Sequence, residues 1–82
     1  MAISLEITLI GFDKESEMCV YEVVVPATAA CYAKAVAGVP PDDSDMIGQY
    51  QLSPDQAAKV AAAIPAPIDP HKCYYFLEAD EV

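Results

Sequence analysis

The strict alternation of apolar and polar residues at the start of the chain is the feature that most constrains its fold. The apolar positions are Ile3, Leu5, Ile7 and Leu9. A period of two with β-branched residues is typical of a strand that buries one face. A second, antiparallel strand is predicted over residues 18–25, after the polar turn of residues 11–17. Its inner face is expected to carry Cys19, Tyr21, Val23 and Val25.

A first helix is predicted directly after this hairpin. Thr28 is its predicted N-cap, and Gly38 is its predicted end because prolines follow. Its apolar residues recur at helical spacing: Ala29, Tyr32, Ala33 and Val36. The loop that follows is expected to extend from Val39 to Gln51.

The start of a second helix is the strongest local signal in the chain. In the tetrapeptide of residues 53–56, Ser53 is the predicted N-cap, a proline occupies the first helical position, and Gln56 occupies the third. This arrangement is a capping box. Leu52 and Ala57 stand where a hydrophobic staple would form, and Pro65 ends the helix.

The last predicted strand covers Lys72 to Glu78 and is rich in aromatic residues. Both of its faces are largely apolar, so the pattern leaves open which face is buried. The order ββααβ predicts an α+β two-layer sandwich, with a three-stranded sheet and two helices on one face. Residues 1–82 are expected to form a single domain with a thin core.

The charge of the chain is its strongest indication of function. Thirteen carboxylates stand against four lysines and no arginine, which gives a formal net charge of -9. Such a chain repels nucleic acid and anionic membranes and attracts basic surfaces. The absence of arginine argues against most phosphoryl and nucleotide chemistry. We therefore expect a basic protein partner, and neither a nucleic-acid nor a membrane partner.

The cysteines and the apolar segments indicate a location. Three widely spaced cysteines fit a reducing cytosol. The first residues lack the basic region of a signal peptide. The longest apolar stretch, residues 23–33, is interrupted by Pro26 and is too short to span a bilayer. These features predict a cytoplasmic protein.

The acidic segment of residues 42–45 suggests a calcium loop, but its spacing does not fit one. Counted from Asp43, the position that needs glutamate in an EF-hand is Pro54. The segment is therefore a solvated turn, a partner contact or an irregular metal site. His71 and Cys73 lack the second ligand pair of a zinc site. Cysteine catalysis needs a cationic neighbour, whereas the charge here is acidic. We expect no enzymatic activity, no cofactor and no metal.

The aromatic run of residues 74–76 has two interpretations. One face of it is expected to pack in the core. If that face carries Tyr75, the opposite face places aromatic rings beside Glu6, Glu22 and Glu78. Aromatic residues among carboxylates form a plausible hot spot for a basic partner. The predicted partner-binding residues are Asp42, Asp43, Asp45, Tyr50, Tyr74, Phe76, Glu78 and Asp80.

Three segments carry a resemblance to a known family: residues 38–43 (Gly-Val-Pro-Pro-Asp-Asp), 50–52 (Tyr-Gln-Leu) and 74–79 (Tyr-Tyr-Phe-Leu-Glu-Ala). The chain resembles a family of very small acidic bacterial proteins of uncharacterised function. Such proteins look like the immunity partners encoded beside polymorphic toxins, which neutralise a toxin by covering its active surface. The acidic stretch of residues 42–46 is longer here than in the usual family pattern.

Two functions follow as expectations. The first is an immunity protein or antitoxin that binds a cognate basic toxin, and the toxin is expected to act on nucleic acid. The alternative is a non-enzymatic structural or accessory domain that forms a homodimer through an exposed apolar sheet face. A basic partner distinguishes the first from the second.

Overall fold

The chain folds into a four-stranded antiparallel sheet and two helices. The computed structural model describes residues 5–39 and 49–81, with only the backbone for Leu5, Asp80 and Glu81. The elements are β1 (Leu5–Asp13), β2 (Cys19–Val25), α1 (Ala27–Ala37), β3 (Gln49–Leu52), α2 (Pro54–Ala63) and β4 (Cys73–Glu81). The strand order in the sheet is β2-β1-β4-β3. The predicted α+β class and both helices are confirmed.

The predicted three-stranded sheet is wrong, because β3 adds a fourth strand at one edge. Three of its four residues fall within the predicted loop. The segment Gln-Tyr-Gln-Leu contains no β-branched residue and is too short to show a clear period. It becomes a strand through long-range pairing, with Tyr50 opposite Leu77 and Leu52 opposite Tyr75 on β4. Local sequence does not contain that information.

The core lies between the helices and one face of the sheet. On this helix-covered face, Leu9 of β1 is opposite Val23 on one side and Leu77 on the other. Small residues line the helices where they meet the sheet, with Ala29 and Ala33 on α1. Alanine lets a helix approach a sheet closely, which suits a chain with few large apolar side chains. The sequence does not decide which face of β4 is buried. The structure shows that the face with Tyr75 and Leu77 is buried in this core.

The helix boundaries follow the local signals, with one correction. Thr28 is not the N-cap of α1, because the helix starts at Ala27 directly after Pro26. The Pro26 carbonyl accepts a hydrogen bond from the Ala29 N–H at 2.9 Å, which fixes this earlier start. The helix ends as predicted at Gly38, whose left-handed φ of 77° suits glycine.

The capping box of α2 is confirmed, and one of its residues also contacts α1. Ser53 Oγ accepts from the Gln56 N–H at 3.2 Å, and Gln56 Oε1 accepts from the Ser53 N–H at 2.8 Å. Gln56 Nε2 in addition donates to the Val36 carbonyl at 2.9 Å. One side chain therefore caps α2 and joins its start to the last turn of α1.

The hairpin contains a bulge that changes the predicted inner face of β2. The pairing shifts between Gly11, which is opposite Tyr21, and Phe12, which is opposite Cys19. Val20 is therefore left out of the pairing, as in a β-bulge. The predicted inner position of Cys19 is wrong: the alternation breaks at Val20 and Cys19 is exposed.

Candidate functional site

The two faces of the sheet differ in what covers them. Both helices pack on the face that carries Leu9 and Leu77. In the part of the chain that the structure describes, no helix lies on the opposite face, which we call the open face. The register places these residues on it: Glu6, Thr8, Ile10, Phe12, Glu22, Val24, Gln49, Gln51, Tyr74, Phe76 and Glu78.

An aromatic pair occupies the centre of the open face. The rings of Phe12 and Phe76 meet edge to face, with centroids 5.5 Å apart and planes at 86°. The register explains the contact, because Phe76 is opposite Ile10, two residues before Phe12. Diagonal neighbours on adjacent strands are within reach of aromatic side chains. Ile10 is only 7% exposed although no described helix covers it. Its cross-strand neighbours on this face are Glu22 and Phe76.

Tyr74 extends this aromatic area toward the hairpin turn. It lies opposite Phe12 and is 48% exposed. Lys14 Nζ stands 5.0 Å from the centroid of its ring, a cation–π geometry. The cation holds one side of the ring and leaves a large aromatic surface available to a partner.

Two carboxylate residues share the open face with the aromatic pair. Glu22 of β2 is opposite Ile10, and Glu78 of β4 is opposite Thr8. Gln49 Nε2 donates to Glu78 Oε2 at 2.6 Å, which fixes the orientation of that carboxylate. Glu22 is exposed, whereas Glu78 is half-buried. An apolar centre with acidic flanks suits a partner surface that is basic around an apolar contact.

The structure brings together three of the predicted partner-binding residues: Tyr74, Phe76 and Glu78 share the open face. Tyr50 lies on the other face, half-buried against the core. The backbone of Asp80 pairs with that of Glu6, near the start of β1. Asp42, Asp43 and Asp45 lie outside the described residues.

Two central residues of the open face were not predicted from the sequence. The sequence pattern predicts Phe12 in the hairpin turn, but β1 continues to Asp13. Ile10 is not part of the apolar alternation that ends at Leu9 and predicts the first strand. Extending the alternation through Thr8, Ile10 and Phe12 would have found this second apolar row.

Tyr75 lies on the helix-covered face, where a hydrogen bond and a ring contact hold its side chain. Its hydroxyl accepts a hydrogen bond from the Asp69 N–H at 2.8 Å. Its ring packs edge to face on Tyr21, with centroids 6.0 Å apart. Burial raises the pKa of this phenol above its ordinary value of 10.0, since the charged form would lose its hydration. The residue has a structural role in the core.

The hairpin turn is organised by one aspartate. Asp13 Oδ1 accepts from the backbone N–H groups of Glu15 at 2.7 Å and Ser16 at 3.1 Å. The N–H groups of Ser16 and then Glu15 lower the pKa of this carboxyl below 3.8. These two hydrogen bonds favour the ionised carboxylate, and they stabilise the turn that contains Lys14.

The residues considered for catalysis or zinc binding line separate depressions. Cys73 borders one of about 410 Å³ together with Leu52 and Tyr74. His71 borders another of about 400 Å³ together with Asp13 and Lys72. Within residues 5–39 and 49–81, no three His, Cys, Asp or Glu side chains are grouped to hold a metal ion. The helices in the same ranges are too short or too polar to cross a membrane.

Comparison with known proteins matches the chain to a family. A family model described as a domain of unknown function, DUF7683, matches residues 6–78. The match therefore covers both helices and nearly the whole sheet. Searches of curated proteins and of solved structures found no significant match.

Proposed function

We propose that this chain, which belongs to the family described as a domain of unknown function, DUF7683, is a binding protein that neutralises a basic bacterial toxin. It does so by covering the active surface of the toxin, as an immunity protein or antitoxin. The observation that carries the proposal is the Phe12–Phe76 pair on the open face, which also carries Glu22 and Glu78.

The aromatic pair supplies the contact energy in this proposal. Aromatic residues at the centre of an interface are frequent hot spots, and losing one costs about 2 kcal/mol or more. Phe12 and Phe76 already restrain each other in the free chain. Little side-chain entropy is lost when a partner covers them, so more of the contact energy appears as affinity.

The charge supplies selectivity and speed. The net charge of -9 attracts a basic partner over a distance and raises its rate of association. Glu22 and Glu78 place part of this charge directly beside the apolar contact. A basic nuclease fits this surface, since its active site is built to hold phosphates. A cytoplasmic location, where a producing cell needs such protection, is part of the proposal.

Co-expression with the basic protein encoded beside this chain tests the proposal. The two proteins should co-purify, and this chain should relieve the toxicity of its neighbour. The Tyr74→Ala variant should weaken binding by about tenfold or more. Tyr32→Ala is the matched control, because Tyr32 on α1 is equally exposed, at 48%, and lies off the open face. A neighbour that neither co-purifies nor loses toxicity contradicts the proposal.

A second candidate is an accessory domain that self-associates. It is favoured by exposed apolar residues along β2, with Val20 at 57% and Val24 at 50%. A tight homodimer held by apolar contacts would be insensitive to salt. Light scattering across a range of salt concentrations separates it from the first candidate, which predicts a monomer without its basic partner.

A further inference from the structure

β2 is an edge strand of the described sheet. It stands at the end of the order β2-β1-β4-β3, and no described strand pairs with its outer side. Such an edge offers free N–H and C=O groups to another chain. Proteins often block an edge with lysine or proline, and β2 contains neither along its length, Cys19–Val25. The bulge that removes Val20 from the ladder leaves regular pairing from Tyr21 to Val25.

The side chains of β2 determine which strand fits beside it. Glu22 is the single charged residue of this strand, and Val24 is its next neighbour on the open face. A strand added along the edge would place one side chain directly beside Glu22 and another beside Val24. Opposite charges beside each other stabilise such a pair, and like charges destabilise it. The fitting segment therefore has a lysine or arginine followed, two residues away, by an apolar residue.

We propose that β2 is the docking edge for an extended basic segment of the protein partner, which adds a strand to the sheet with a lysine or arginine beside Glu22. The inference rests on the proposed function, because the segment belongs to the same basic partner. Backbone hydrogen bonds supply affinity in this binding mode, and the side chains supply selectivity. A second copy of this chain is a poorer occupant, since each copy carries a net charge of -9.

The test uses the full chain and two short synthetic peptides. Both alternate threonine and valine, and they differ in one central residue, which is lysine in one and glutamate in the other. Hydrogen exchange read by NMR should show new protection of amides in residues 19–25 when the lysine peptide binds. The lysine peptide should bind roughly two- to fivefold more tightly than the glutamate peptide, the range of an exposed ion pair.

Matched variants distinguish binding at the β2 edge from attraction by the overall negative charge. Glu22→Gln should abolish the preference for the lysine peptide. Asp55→Asn, on α2 away from β2, removes the same charge and should keep the preference. Val24→Lys should block binding of the lysine peptide, as edge lysines do, whereas Tyr32→Lys, at a position of similar exposure, should not.

Several results overturn the inference. These are protection of residues 49–52 in place of 19–25, equal binding of the two peptides, or a homodimer that protects β2 without peptide. A partner that is bound and neutralised without protection of β2 also overturns it, and leaves the proposed function standing. If no basic partner is found but the lysine peptide still protects β2, the result supports the docking edge and contradicts the proposed neutralisation of a toxin.

Discussion

Replacing Gly11 with alanine tests how tightly the core packs beneath the sheet. An added Cβ would stand 2.8 Å from Tyr75 Cε1 and 3.1 Å from Tyr21 Cβ, where ordinary contacts are 3.4–4 Å. Tyr75 cannot swing away easily, because it is 3% exposed and its hydroxyl is bonded to the Asp69 N–H. Overpacking of this kind costs about 1–3 kcal/mol. Alanine in a strand otherwise gains about 0.5–1 kcal/mol over glycine, so a net loss of about 0–2.5 kcal/mol is expected.

Urea unfolding followed by circular dichroism measures this loss. A double-mutant cycle with Tyr75→Leu identifies its cause, because leucine lacks the ring atom that the new methyl group meets. In that background Gly11→Ala should cost less than in the wild type. The reasoning is refuted if Gly11→Ala stabilises the chain, or if its effect is the same in both backgrounds.

Three further predictions concern single groups. Gln56→Glu keeps an acceptor for the capping box but loses the donor to the Val36 carbonyl, and should cost about 1–2 kcal/mol in urea unfolding. Asp13 has a lowered pKa in the folded chain, so it stabilises the turn above pH 3.8, and this contribution should fade as the pH falls through the lowered value. Amide chemical shifts of the turn should report that loss, and Asp13→Asn should remove it. Tyr75 has a raised pKa, so its contribution is complete below pH 10.0 and is lost as the pH rises through the higher value. Tyrosinate absorbance should show a late ionisation that Tyr75→Phe removes.

The parts of the fold that the sequence predicts are those set by local chemistry. The capping box at Ser53 and the end of α1 at Gly38 depend on neighbouring residues, and both are found where predicted. The alternation of β1 correctly gives Ile7 and Leu9 to the core. Each of these signals acts over a few residues, so a single sequence contains it in full.

The missed parts depend on contacts between distant residues. The strand β3 exists through its pairing with β4, more than twenty residues later. The bulge at Val20 follows from how β2 registers with Gly11 and Phe12, and it takes Cys19 out of the predicted inner face. The sequence predicts Tyr74 and Phe76 on one face of β4, but it does not predict Phe12 beside them, because β1 extends beyond its predicted end.

The packing of the open face bears on the choice between the two candidate functions. An obligate homodimer leaves part of its core exposed in the single chain. Here Leu9, Leu77 and Val60 are fully buried within one chain. On the open face Ile10 is only 7% exposed in the single chain, so this face does not need a second copy to hide its central residue. The proposed capture of a basic partner therefore accounts for an apolar and acidic face better than a homodimer does.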